Sequence, residues 1–290
     1  MREALDIVIP VYNEEECISE TVKRLLNVRE SLFNDLDVNF IFVDDGSKDK
    51  SFEILKEWAN KHSFIKVLSF SRNFGHQFAV SAGLDYSSGD YVAIIDADLQ
   101  DPPELIKDMY QKAQEGYQIV YGKRKKRKNE TAFKKFTAFA FYRLFDALCQ
   151  IKVPTDTGDF RLLKKEVVNI LKTMPEKHRF IRAMVPWVGF KSVPLYYNRD
   201  ERFAGETKYP LSKMLKLAAD GILSFSTKPI KLIHIFAFTL LILSFLVRDS
   251  VFFVGAIITC SIGIIGEYIG RIFEEVKNRP LYIIKSKLNI

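Results

Sequence analysis

The sequence predicts an α/β fold: a mostly parallel central sheet with helices on both faces, then a C-terminal interfacial helix and two transmembrane helices. Three observations carry that expectation. Short apolar strand-type runs alternate with helix-type segments through the N-terminal part. Polar clusters fall directly after those runs, where open parallel sheets bind their ligands. Near residue 230 dense charge gives way to two apolar runs.

In chain order, Leu5–Ile9 is a β-type run ended by Pro10, and Glu14–Leu26 reads as a helix. Val38–Val43 is a buried-strand run ending at Asp44-Asp45-Gly46-Ser47, and Ser51–Asn60 is again helical. Ile65–Phe70 is a strand, Gln77–Leu84 a helix and Tyr91–Ile95 a strand. Asp101-Pro102 opens a helix over Pro103–Gln114.

Tyr209–Phe225 carries Leu211, Met214, Leu215, Leu217, Ala218, Ile222 and Leu223 at helical spacing. That pattern suits a helix in the membrane interface, or one packed on a core. The apolar runs Leu232–Val247 and Val251–Gly266 follow, interrupted by Arg248-Asp249. With their flanks Pro229–Lys231 and Glu267–Gly270, each reaches the lower limit of about 17 residues for a bilayer helix. Lys228, Lys231, Arg271, Lys277, Arg279, Lys285 and Lys287 flank the outer ends, while the turn holds one Arg and one Asp. Two spans with both ends cytoplasmic have that asymmetry. A buried helical hairpin is the other reading. Glu267, near a span end, is expected to pair with Lys or Arg at the membrane interface or across a subunit contact.

Composition excludes several classes. With 48% hydrophobic and 27% charged residues in 290, the chain is not disordered. The 43 Lys+Arg exceed 36 Asp+Glu, for a net charge of +7. Cys17, Cys149 and Cys260 lie far apart with no CxxC, against a disulfide scaffold or zinc ribbon. The N-terminus lacks a signal-peptide pattern, so the first part is expected in the cytoplasm. There is no Walker motif and no GxGxxG after the first strand, so a dinucleotide site is not expected.

The most informative polar cluster is Asp96-Ala97-Asp98-Leu99-Gln100-Asp101. Asp96 and Asp98 are one residue apart, so in an extended segment both carboxylates project to one side. Two hard oxygen ligands suit Mg²⁺ or Mn²⁺ with substrate phosphates completing the shell. The competing reading is a helix cap ahead of Pro103. Asp44 and Asp45 are either turn formers or acceptors for a base or ribose. Lys123–Lys128 is a solvated loop or an attractor of anionic lipid head groups. Without interleaved aromatics it does not suit nucleic acid. His76 and His178 stand isolated and read as satisfied histidines, and Trp58 and Trp187 as packing residues.

The segments IVIPVYNEE, FVDDGS, SRNFGHQ, DADLQDPPE, DTGDFRLL, RFAGETKYPLSKMLKLAADGILSFS and IIGEYIGRIFEEVKNRPLY resemble the family-2 glycosyltransferases with a GT-A fold. They are closest to the membrane-anchored branch acting on polyprenyl phosphates, the undecaprenyl-phosphate glucosyltransferases and dolichol-phosphate mannose synthases. The hairpin is shorter than is usual there, and Thr207 stands where Ser is common but keeps the hydroxyl.

The resemblance implies roles. Pro10, Tyr12, Asn13 and Glu14 hold the nucleobase, and Asp44 or Asp45 contacts base or ribose. Asp96, Asp98 and Gln100 form the metal and pyrophosphate site, and Asp96, Ala97 and Asp98 also belong to the nucleotide-sugar set. Asp159 lies near the reacting sugar. Arg124, Arg202 and Lys208 bind phosphate, with Arg202 in the catalytic set beside Asp98 and Asp159. The implied reaction is inverting transfer of one sugar, glucose from UDP first, to undecaprenyl phosphate at the cytoplasmic face of the cell membrane. A homo-oligomer, a tetramer, is implied as the assembly. Other readings are another donor such as GDP-mannose or UDP-GlcNAc, a processive synthase or a non-catalytic scaffold. A processive synthase carries a QxxRW motif, which is absent here. The expected division is 1–208 catalytic, 209–228 juxtamembrane, 229–272 transmembrane and 273–290 a cytoplasmic tail.

Overall fold

The computed structural model describes residues 2–32, 36–125, 154, 157–200, 233, 238–239 and 251–290. The expected helix at 209–228, the first apolar run at 232–247, residues 126–128, Arg202 and Lys208 lie outside them.

Strand β1 (Glu3–Val11), helix α1 (Ile18–Leu32), β2 (Leu36–Asp44), α2 (Ser51–Lys61), β3 (Ile65–Phe70), α3 (His76–Tyr86) and β4 (Tyr91–Ile94) alternate as the sequence predicts. Helix α4 (Leu105–Gln114), β5 (Ile119–Arg124), β6 (Thr157–Lys164), α5 (Lys165–Thr173), α6 (Ile181–Trp187), β7 (Ser192–Tyr197), α7 (Val251–Val276) and β8 (Ile284–Leu288) follow. The strands form one sheet in the order β7-β5-β6-β4-β1-β2-β3-β8. β1 to β4 pair in parallel, and β6 enters antiparallel to β4.

Both faces of the sheet are covered. Leu5, Ile7 and Ile9 of β1 point into one core with Ile18, Val22, Leu25 and Val28 of α1, whose three- and four-residue spacing makes a single apolar stripe. Val8 points into the other core with Ala79, Val80 and Ala82 of α3. A Cβ at Gly83 would stand 2.1 Å from Val8 Cγ1, so glycine lets α3 lie directly on β1. Because β1 has β2 on one side and β4 on the other, the winding reverses between β1 and β4. A crevice opens there at the carboxyl ends of the strands.

The C-terminus departs from the expected tail. β8 is an edge strand of the sheet, antiparallel to β3. Asn289 Nδ2 donates to the carbonyls of Ala59 (2.8 Å), Ile65 (2.8 Å) and His62 (3.3 Å). Tyr282 stacks on Phe70 at 5.0 Å and donates to Asp85 Oδ2 at 2.7 Å. Lys285 and Lys287 face solvent, which blunts the new edge against further pairing.

The described residues do not support the two-span hairpin, whose first run lies outside them. Among the described residues no helix is long and apolar enough to cross a membrane. The apolar stretch of α7, residues 251–266, spans about 24 Å at 1.5 Å per residue, short of a hydrocarbon core of about 30 Å. Glu267, Arg271, Glu274 and Glu275 then interrupt it. Arg271 Nε lies 3.3 Å from Glu267 Oε1, a pair one turn apart on α7 itself. The far end of α7 is fastened to the segment entering α6. The Lys177 amide donates to Glu275 Oε1 at 2.7 Å, Lys177 Nζ donates to the Arg279 carbonyl at 2.7 Å, and His178 Nε2 lies 2.9 Å from Glu274 Oε2.

Candidate active site

The loops after β1 and β2 are stitched together. Asn13 Oδ1 accepts from the Lys48 amide (2.8 Å), while the Asn13 and Glu14 amides donate to Ser47 Oγ and Ser51 Oγ (2.9 Å each). Asn13 sits at φ +53, a left-handed conformation that asparagine tolerates. Pro10 is buried within β1, and Tyr12 is half-buried at its end.

Asp44 and Asp45 are both buried. Asp44 accepts from the Ser47 amide (3.0 Å) and from Ser69 Oγ (2.8 Å). Asp45 accepts from the amides of Phe74 and Gly75 (2.7 and 2.9 Å) and from Asn73 Nδ2 (2.9 Å). Burial pushes the Asp45 carboxyl up to about 6, against the opposing pull of those amide bonds. Both carboxylates thus brace the loops after β2 and β3 at the edge of the crevice. Gly46, at φ +65, lets the 72–73 backbone approach, since a Cβ there would lie 2.4 Å from the Arg72 carbonyl carbon.

β4 delivers the next cluster. Asp98 Oδ1 accepts from the Gln100 amide at 3.1 Å, and Thr21 Oγ1 donates to the Ala97 carbonyl at 2.8 Å. Leu99 is held at φ +58, a conformation that a leucine adopts only when its surroundings force it. Asp96 Oδ1 is buried without a hydrogen-bond partner. Burial first, and then the neighbouring charges of Asp159, Asp98 and Asp101, hold the Asp96 carboxyl up at about 6 although His76 pulls it down.

Asp159, on β6, is the centre. Arg182 Nε donates to its Oδ1 at 2.9 Å and Arg182 Nη2 to its Oδ2 at 3.0 Å. His76 Nε2 lies 3.1 Å from Asp159 Oδ2 and 3.7 Å from Asp96 Oδ1. Burial alone would raise the Asp159 carboxyl, but the Arg182 and His76 charges hold it well below the usual range. Burial alone would lower His76, but the bond to Asp159 and the charges of Asp96 and Asp159 push it up to about 9. Arg161 fixes the backbone beneath, donating to the carbonyls of Gly158 (2.9 Å) and Asp159 (3.2 Å). Gln77 Oε1 accepts from the Ile181 amide at 2.8 Å, tying α3 to α6.

A second cluster surrounds Asp101. The Tyr197 hydroxyl donates to Asp101 Oδ1, and Arg199 Nε and Arg124 Nη2 lie 3.6 and 3.9 Å from the same oxygen. A Cβ at Gly158 would stand 3.0 Å from Arg124 Nη2, so this expected phosphate ligand sits one residue from Asp159.

The fold therefore brings Asp96, Asp159 and Arg124 into one crevice and places Asp44 and Asp45 in the loop that follows β2 beside it. The sequence reading missed His76, Arg182 and Tyr197. His76 lay in the SRNFGHQ segment yet was read as an isolated histidine, and Arg182 belonged to no motif.

Among the described residues no group of three or more His, Cys, Asp or Glu side chains is arranged to hold a metal ion. A divalent cation fits in another way. The orphaned Asp96 oxygen and Asp98 supply two carboxylates, and Mg²⁺ or Mn²⁺ is commonly held by one or two carboxylates plus substrate phosphates.

A parallel sheet that reverses beside paired carboxylates places a ligand crevice at the carboxyl ends of β1 and β4. The pattern described as Glycosyl transferase family 2 matches residues 6–171. An uncharacterized glycosyltransferase of Bacillus subtilis, YkcC, is 48% identical over 98% of this chain and 94% of its own length. An uncharacterized glycosyltransferase of Synechocystis, sll0501, is 42% identical over 97% and 95%. The bactoprenol glucosyl transferase of Shigella phage SfII is 39% identical over 97% of each. The chain belongs to glycosyl transferase family 2.

Proposed function

We propose that the protein transfers one sugar, glucose from UDP-glucose, to a polyprenyl phosphate, with inversion at the anomeric carbon. The observation that carries the proposal is Asp159 locked between Arg182 and His76, with Asp96 Oδ1 beside them, 3.7 Å from His76 and accepting no hydrogen bond. The similarity to a bactoprenol glucosyl transferase along nearly the whole chain supports the acceptor.

In this reading Asp96 and Asp98, with Gln100 next to them, hold the Mg²⁺ or Mn²⁺ that, when bound, neutralises charge on the leaving diphosphate. Pro10, Tyr12, Asn13 and Glu14 seat the nucleotide, with Ala97 lining the donor side. Arg124 anchors the acceptor phosphate, joined by Arg202 and Lys208 outside the described residues. A phosphate oxygen forms the new bond to the anomeric carbon. The bond to the nucleotide's terminal phosphate breaks, and its electron pair leaves on the nucleoside diphosphate. The attacking oxygen is already ionised at neutral pH, so no strong base is required. Asp159, with its carboxyl held low and gripped by Arg182, is a poor base. Its work is to position the sugar and stabilise positive charge developing at the anomeric carbon.

A lipid acceptor puts the reaction at a membrane, and the cytoplasmic face of the cell membrane is the proposed site. The apolar region around α7 is the proposed attachment. Ile258, Ile262, Ile265, Ile269 and Ile272 are exposed along α7 at alternating four- and three-residue steps. Isoleucine at both seam positions of such a repeat favours higher oligomers over dimers, which supports a homo-tetramer.

The test incubates the membrane-extracted protein with Mg²⁺ or Mn²⁺, undecaprenyl phosphate and a panel of UDP- and GDP-sugars, following nucleoside diphosphate release. Release with UDP-glucose that needs both lipid and metal is the expected result. Release with GDP-mannose or UDP-GlcNAc instead reassigns the donor. Silence with every donor, beside an active relative, overturns the reading.

A further inference from the structure

A cavity of about 480 Å³ adjoins the catalytic cluster, and the chemistry described so far does not use it. Its lining is mixed: Arg161 and Arg182 share it with Tyr121, Val185, Trp187 and Phe190. Trp187 is 58% exposed at the end of α6, a large aromatic turned to solvent beside a hole it only partly fills. A hole lined by both cationic and aromatic or aliphatic side chains complements an amphiphile with an anionic head. Its volume is of the size that holds a small ligand, about 300–1,000 Å³.

Its position matters as much as its lining. The Asp159 carboxylate is touched by His76, which also faces Asp96 on the donor side, and by Arg182, which belongs to the cavity wall. Inversion requires the nucleophile to approach from the side opposite the leaving group. We propose that this cavity receives the phosphate-bearing end of the isoprenoid acceptor, its phosphate against Arg182 and its first isoprene units against Trp187, Phe190 and Tyr121. The inference rests on the polyprenyl-phosphate reading above and adds a seat for that acceptor. Arg161 is committed to backbone carbonyls and serves as the floor rather than as a ligand.

The chain has two tryptophans, and Trp58 lies on α2, away from the cavity lining. Trp187 therefore serves as a built-in reporter. The experiment titrates detergent-solubilised full-length protein with farnesyl phosphate, farnesol and inorganic phosphate, reading indole emission. The same preparation is assayed for lipid-dependent release of nucleoside diphosphate. The inference expects a saturable change with farnesyl phosphate, none with inorganic phosphate or farnesol at equal concentration, and loss of the signal in Trp187→Phe. It also expects Trp187→Ala and the cavity-filling Ser192→Phe, built on the exposed rim, to raise KM for the lipid about tenfold while KM for the nucleotide sugar moves less than about twofold. An unchanged emission and unchanged lipid KM in an enzyme that still turns over on the lipid places the acceptor elsewhere and overturns the inference alone. No lipid-dependent turnover with any donor, and no emission change, overturns the functional reading and this inference together.

Discussion

Arg182 grips Asp159 through two parallel hydrogen bonds, Nε to Oδ1 at 2.9 Å and Nη2 to Oδ2 at 3.0 Å, although the two lie on different elements, 23 residues apart. This fork-to-fork geometry is specific to guanidinium and cannot be reproduced by an ammonium.

Arg182→Lys therefore keeps the charge and loses the alignment. Its kcat is expected to fall about 10- to 100-fold with the protein still folded. Asp159→Asn is expected to fall at least as far. Steady-state kinetics with thermal melts alongside separate the two effects, and a Lys variant at wild-type kcat refutes the positioning role.

Asp98→Ala removes one of two carboxylates available to a divalent cation. Calorimetric titration with UDP-glucose is expected to show metal-stimulated binding in the wild type and none in the variant. Equal stimulation in both would exclude Asp98 as a ligand.

His76 gives a pH signature in the metal-free protein. Its folded value, about 9, lies above the ordinary 6.5, so its charged form stabilises the fold. That contribution is complete below about 6.5 and is lost as pH rises through about 9. The melting temperature is expected to decline across this window and to decline less in His76→Gln. Parallel curves for the two proteins would show that the His76–Asp159 contact carries no stability.

Gly46→Ala forces a side chain onto a backbone at φ +65, with its Cβ 2.4 Å from the Arg72 carbonyl carbon. A loss of at least about 2 kcal/mol is expected in denaturant unfolding, because left-handed strain and a backbone clash add. A loss under about 0.5 kcal/mol would mean that the 72–75 turn yields easily.

The strands β1 to β4 were legible because each is a local apolar run closed by turn residues and followed by a helix. Asp96 and Asp98 were legible for the same reason, since a buried strand ends beside them. β5 to β8 carry no such signal. β8 pairs with β3 more than 200 residues away, and its Ile-Lys-Ser-Lys-Leu pattern looks like a solvated tail until the partner is known. His76 and Asp159 are 83 residues apart, so neither position announces the other. The short apolar stretch of α7 was readable as a run, but its length against a bilayer was overestimated by counting the charged flank.

The contacts of Lys177 and His178 with Glu275 and Glu274 create a mechanical linkage. From His178 only four residues lead to Arg182, whose guanidinium clasps the Asp159 carboxylate. A tilt or rotation of α7 must be absorbed within that short span or passed on to Asp159. The position of the C-terminal helix and the aim of the Asp159 carboxylate are thus set together, through one short tether.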